Sequence, residues 1–374
     1  MASLTIARID VYQVDLPYAG GVYHLSGGRS YTSFDATIVR ITTNTGLEGW
    51  GESTPFGATY IASHARGVRA GIASLAPHLL GLDPRCVDRI NEAMDAALVG
   101  HAHAKTALDV ACWDVFGQSV GLPVCELLGG RTATAMPVIS SIHVGEPAEM
   151  RQRGAEHRAR GYLGHSVKVA GDDPAADAAR ITASLADRQP GEFFLVDANG
   201  GLTVETALRM LRLLPPRRGG TSCSRPPCAT WREGVSLRRR TDVPIIFDEL
   251  ATNNVSVVQL VADDAAEGIG WKISKTGGLT RGRRQPDLCL AAGSTVSVQE
   301  TTGSDLAFAA IVHLSPTVPE RYLRCVLETR DMVALTTADG ELEVRGGRIS
   351  APTGPVLGVT PRLEVLGEPV ASYF

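Results

Sequence analysis

The chain has 374 residues, of which 44% are apolar and 20% charged, and a formal net charge of −4. This length predicts one large domain plus a smaller one, the apolar share excludes a disordered chain, and the charge argues against a nucleic-acid surface. No apolar run is long enough to cross a bilayer and the N-terminus lacks the apolar stretch of a secretory signal, so a cytoplasmic protein without membrane or nucleic-acid partners is expected.

In chain order, the first stretch reads as a small α+β unit: strands near 4–16 and 33–43, a Gly-rich connection Gly20-Gly21 to Gly27-Gly28, then helices near 62–80 and 103–119. From about 136 the pattern becomes short β-branched strands alternating with amphipathic helices, which predicts βα units on a parallel sheet. The strands are Val138–Ile142, His165–Val169, Phe193–Asp197, Ile245–Asp248, Ile269–Ile273, Thr295–Gln299 and Leu323–Glu328, and one more is expected between 215 and 230. Eight such strands make a barrel of the TIM type, with its active site at their C-terminal ends. The expected division is a capping domain over 1–130, a (β/α)7β barrel over 131–334, and a segment over 335–374 that returns to the cap. The short Arg238-Arg239-Arg240 run reads as a solvated helix end, and the seven cysteines, without any Cys-x-x-Cys pair, as reduced thiols.

Lys168, Asp197, Asp248 and Lys272 each fall at the end of a different predicted strand, so they converge on one mouth. A carboxylate ending an apolar strand is costly to bury unless a cation or metal pairs with it. Hard oxygen donors with no His or Cys nearby favour Mg²⁺ or Mn²⁺. Each residue alone reads as readily as a helix cap or a solvated lysine; the four in register do not. A metal that stabilises the enediolate and a lysine that removes the α-proton make a coherent chemistry for a carboxylate substrate.

Ala107-Leu108-Asp109-Val110-Ala111-Cys112-Trp113-Asp114 running into Gly121-Leu122-Pro123 and Leu127-Leu128-Gly129-Gly130 resembles the signature of the mandelate racemase and muconate-lactonizing enzymes of the enolase superfamily. Asp197-Ala198-Asn199, Asp248-Glu249 and Lys272-Ile273-Ser274-Lys275-Thr276-Gly277-Gly278 extend the likeness over the whole chain. The resemblance implies a modified TIM barrel with an α+β cap, Asp197 and Asp248 as metal ligands, Lys168 and Lys272 as the acid/base pair, and a symmetric homo-oligomer. Where the family has Lys-x-Lys, this chain has Ser166-Val167-Lys168, so the like-charge repulsion of a neighbouring ammonium is absent and room is left for a substrate group. Together with Val298-Gln299-Glu300-Thr301 and Tyr23-His24-Leu25-Ser26-Gly27-Gly28, that motif resembles the cis-3-hydroxy-L-proline dehydratase group, with hydroxyproline-betaine epimerases, cycloisomerases and acid-sugar dehydratases as alternatives. Ser166, Asn199, Gln299, Glu300, Asp305, Tyr23 and Tyr60 are the candidate substrate contacts.

A second departure concerns the metal. The family's third ligand is a glutamate ending the fourth barrel strand, and Arg225 stands at the nearest equivalent place, in the Gly/Ser/Pro-rich run 219–228. A cation cannot ligate a metal, which opens the alternative of a catalytically silent barrel. One permitted codon choice for Gly220–Pro227 read from its third base encodes Asp-Phe-Val-Leu-Glu-Ala-Pro, an apolar strand ending in the missing glutamate. A local frameshift with the frame restored before Cys228 is therefore the hypothesis for this run, and peptide mapping across 217–228 decides it.

Overall fold

The computed structural model describes residues 4–215, 222–224 and 228–374, the side chains of 222–224 excepted. Its first layer is an antiparallel sheet built from β1 (Ile6–Pro17), β2 (Ser33–Thr43) and β3 (Glu48–Ser53). Strand β1 pairs with β2 along almost its full length, Val11 opposite Val39, and the alternating set Ile9, Val11, Val39 and Ile41 on one face is fully buried. Three helices follow: α1 (Ala65–Leu79), α2 (Val87–Ala97) and α3 (Ala102–Val120). Helix α3 lies almost flush on β3, since a Cβ on Gly51 would stand 2.1 Å from the Ala107 carbonyl oxygen and one on Gly49 2.3 Å from that of Ala111. Only glycine permits that approach.

The second layer is a curled parallel sheet. Its strands are β4 (Met136–Ile142), β5 (Gly164–Lys168), β6 (Phe193–Asp197), β7 (Ser222–Ser224), β8 (Ile246–Phe247), β9 (Gly268–Lys272), β10 (Thr295–Gln299) and β11 (Leu323–Leu327). The ladder runs β8-β9-β10-β11-β4-β5-β6-β7. Each strand hydrogen-bonds to its sequence neighbour, except that β11 closes onto β4 and no ladder joins β7 to β8 among the described residues. The expected fourth barrel strand is therefore present as β7, three residues long, with Ser222 beside Phe194 and Ser224 beside Val196. Position 225, assigned to the third ligand, lies outside the described residues.

Side-chain alternation divides the sheet into two faces. Val167, Phe194, Phe247, Trp271 and Val298 point outward and pack with the surrounding helices in the main core. Ser166, Lys168, Asp197, Asp248, Lys272 and Gln299 belong to the inner face or its rim. The final strand, β12 (Ala371–Tyr373), pairs with β1, Val11 opposite Ala371, so the chain ends on the first sheet. No helix of the described residues is long and apolar enough to cross a membrane, and the six described cysteines form no disulfide among themselves.

Candidate active site

A small cavity lies at the C-terminal ends of the barrel strands, with about 340 Å³ of empty space once the open solvent at its mouth is included. It is lined by Lys168, Lys272, Ser166 and Ser141 from the barrel and by Tyr23, Phe56 and Tyr60 from the loops around the first sheet. In the ladder order Lys168 on β5 and Lys272 on β9 are four strands apart, so they stand on opposite walls.

Parallel register sets the local chemistry. Lys168 pairs with Asp197 across β5 and β6, and its Nζ lies 2.6 Å from Asp197 Oδ2 and 3.1 Å from Asn199 Oδ1. Asn199 adopts a left-handed φ of +45°, a conformation Asn tolerates better than most residues, and its Nδ2 donates to Glu249 Oε1 at 2.9 Å. On the opposite wall Lys272 Nζ lies 2.9 Å from Asp248 Oδ2, and Lys275 Nζ 3.1 Å from Asp248 Oδ1. Burial pushes the Lys275 ammonium below its ordinary pKa, with the Asp248 charge opposing. Asp197 and Asp248 are fully buried, and without these ammonium groups ionised carboxylates there would be prohibitively costly.

Tyr60 joins the two domains' chemistry. Its hydroxyl donates to Glu249 Oε1 at 2.8 Å and accepts from Lys272 Nζ at 3.0 Å. Burial, and next the Glu249 charge, hold its phenol well above the ordinary tyrosine pKa. Tyr23 shares its hydroxyl with Ser141 Oγ at 3.0 Å, and Tyr18 shares its own with His143 Nδ1 at 2.7 Å. Desolvation drives His143 down to about 4, so it is a neutral ring at pH 7.

Of the candidate contacts, Ser166, Asn199, Tyr23, Tyr60 and Glu300 line the cavity. The Ser166 Oγ is buried and has no hydrogen-bond partner among the described residues. Glu300 is at the wall, yet its oxygens accept from the Ser274 amide and hydroxyl and from the Thr301 amide, which ties it to the loop after β9. Two other candidates are not among the residues that line this cavity. Gln299 is fully buried beside Lys272 in the ladder and is not among the residues lining the cavity. Asp305 accepts from the Thr337 and Ala338 amides, so it fastens the C-terminal segment to its helix instead of facing substrate. Sequence reasoning gave no role to Glu249 or Lys275, although both lie inside quoted motifs; the buried contacts to Tyr60 and Asp248 supply it.

The donor type fits a hard dication: Asp197 and Asp248 offer buried carboxylate oxygens and no His or Cys competes. Among the described residues no group of three or more His, Cys, Asp or Glu side chains is placed to share a metal. The described part of the site thus offers two candidate ligand carboxylates, Asp197 and Asp248.

Residues 24–129 match the mandelate racemase/muconate lactonizing enzyme N-terminal domain, and residues 149–365 match the enolase C-terminal domain-like family. The chain belongs to the mandelate racemase/muconate-lactonizing family of the enolase superfamily. The cis-3-hydroxy-L-proline dehydratase of Roseibium aggregatum is 38% identical over 374 residues, covering 99% of this chain and all of the relative. A solved structure from Aspergillus oryzae assigned to this enzyme family is 70% identical with a TM-score of 0.93, and one from Roseovarius nubinhibens ISM complexed with magnesium is 51% identical with a TM-score of 0.96. Each alignment spans 99% of this chain and 100% of the other. Other relatives are racemases, epimerases and cycloisomerases. The cap and barrel described above are the architecture of this superfamily.

Proposed function

We propose that the protein is a Mg²⁺-dependent dehydratase that removes the α-proton of cis-3-hydroxy-L-proline, or a similar cyclic amino acid, and expels the 3-hydroxyl. The observation that carries this reading is the placement of Lys168 and Lys272 on opposite walls of one cavity beside two buried carboxylates. A substrate held between them presents one face to each ammonium or amine, so one lysine reaches the α-hydrogen while the other faces the far side of the ring.

Asp197 and Asp248 would hold the metal, which would bind the substrate carboxylate and offset the negative charge that grows on it as the α-proton departs. Ser166 contributes an unpartnered hydroxyl at the wall, where the ring nitrogen or hydroxyl of a small polar substrate would satisfy it. The aromatic set Tyr23, Phe56 and Tyr60 covers the mouth and excludes bulk water. Similarity to the Roseibium aggregatum dehydratase over the full chain supports the substrate class.

A second reading, epimerisation at the α-carbon, is favoured by the same opposed lysines, because a proton returned from the far wall inverts the centre. Incubation of the Mg²⁺-loaded enzyme with cis-3-hydroxy-L-proline, followed by mass spectrometry, separates the two: dehydration removes one water, whereas epimerisation leaves the mass unchanged.

A further inference from the structure

The two lysines are not equivalent in their surroundings. Beside Asp197, Lys168 Nζ meets the Asn199 side-chain carbonyl, an acceptor with no proton to give. Lys272 Nζ instead donates to the Tyr60 hydroxyl at 3.0 Å and also sits 5.3 Å from the centre of its ring. The Tyr60 ring is held from behind by Phe56, with centroids 5.5 Å apart, and its hydroxyl is aimed by Glu249. The Tyr60 hydroxyl therefore touches Lys272 directly and reaches Lys168 only through Asn199, whose Nδ2 donates to it at 3.4 Å.

From this asymmetry, and resting on the dehydratase reading, we infer that Tyr60 is the acid that protonates the departing 3-hydroxyl, with Lys272 restoring the phenol proton. Substrate stereochemistry agrees with that assignment. In cis-3-hydroxy-L-proline the hydroxyl shares a ring face with the carboxylate, so the α-hydrogen points to the opposite face. The α-hydrogen then goes to the amine of Lys168 while the hydroxyl leaves toward Tyr60 and Lys272, an anti elimination across the cavity.

The bonds balance. The Cα–H electron pair becomes the Cα=Cβ bond, the Cβ–O bond breaks with its pair on oxygen, and that oxygen takes the Tyr60 proton and leaves as water. The phenolate is reprotonated by the Lys272 ammonium. Lys168 ends with one extra proton and Lys272 with one fewer, and exchange with solvent returns both before the next turnover. The organic product is the cyclic enamine. Positioned acid catalysis of this kind contributes on the order of 100- to 10,000-fold.

The test uses the full-length Mg²⁺-loaded enzyme and Tyr60→Phe, each followed by proton NMR in deuterated water. L-Proline, which has no leaving group, reports α-hydrogen exchange alone, and cis-3-hydroxy-L-proline reports elimination. Tyr60→Phe is expected to lose about 100-fold or more in elimination and far less in exchange of L-proline, so that the ratio of the two rates shifts. On cis-3-fluoro-L-proline, whose fluoride needs less protonation to leave, the variant should regain most of the wild-type rate. That rescue cannot come from a misfolded or merely mispositioned site. Elimination by Tyr60→Phe at the wild-type rate, or exchange and elimination falling together without fluoride rescue, overturns the role of Tyr60 while leaving the dehydratase reading intact. A wild-type enzyme that exchanges L-proline but expels no hydroxyl overturns the dehydratase reading, and the role of Tyr60 with it.

Discussion

Lys168 and Asp197 are ladder partners on adjacent parallel strands, and their side chains meet at 2.6 Å inside the barrel mouth. One contact therefore joins the proposed base to a proposed metal-ligand carboxylate. Lys168→Arg keeps a cation beside Asp197 but removes the group able to take up a proton, since guanidinium stays charged at any working pH. Turnover should fall by on the order of 100- to 10,000-fold while the melting temperature stays near wild type. Steady-state kinetics with a thermal melt checks both halves, and a Lys168→Arg enzyme of near-normal turnover would remove Lys168 from the chemistry.

Asp248 faces two ammonium groups, Lys272 at 2.9 Å and Lys275 at 3.1 Å, both nearly buried. Asp248→Asn leaves those cations without their shared counter-charge. The expected cost is about 3–5 kcal/mol of stability in the metal-free protein, read from urea unfolding. Asp248→Asn combined with Lys275→Met should recover part of it, because one buried charge then has no need of a partner.

The loop after β9 is anchored to helix α3 through Asp109, which accepts from the Thr280 amide at 3.0 Å and from Asn91 Nδ2 at 2.6 Å. Gly278 passes directly over it with a φ of +117°, and a Cβ there would stand 2.3 Å from Asp109 Oδ2. Gly278→Ala must both strain the backbone and displace the carboxylate. A loss of roughly 2 kcal/mol or more is expected, measured as a lowered unfolding midpoint.

His313 is fully buried, its Nδ1 accepts from the Cys125 amide, and desolvation lowers its pKa from 6.5 to about 4. The unfolded chain binds a proton below about pH 6.5 that the folded chain refuses, so the contribution of this residue is complete above that pH and is lost as pH falls toward 4. The contribution is on the order of 3 kcal/mol. His103, lowered to about 3 mainly by burial, acts in the same direction. Unfolding free energy measured between pH 7 and pH 4 should therefore fall more gently in His313→Asn than in wild type.

Much of this site could be read from sequence because a charged residue ending an apolar strand is conspicuous. Asp197 after Phe-Phe-Leu-Val and Asp248 after Ile-Ile-Phe announce themselves, and strand alternation places them on the inner face. Strand β3 was not legible, since Glu48-Gly-Trp-Gly-Glu-Ser reads as a turn until helix α3 is seen to need both glycines. Helix α2 was missed for a related reason: Asp88, Arg89, Glu92 and Asp95 dilute an apolar stripe of only Val87, Ile90 and Met94. Gln299 is polar at a strand end and is fully buried beside Lys272 in the ladder. The link from Tyr60 to Glu249 spans 189 positions, and no local pattern encodes it.

The central claim is that Lys168 and Lys272 flank an α-carbon and move its proton. Proton NMR of cis-3-hydroxy-L-proline and L-proline with the Mg²⁺-loaded enzyme in deuterated water tests it most directly. The account predicts loss of the α-hydrogen signal with wild type and none with the Lys168→Ala, Lys272→Ala double variant. Retention of the α-hydrogen by wild type with proline and every 3- or 4-hydroxyproline would contradict it.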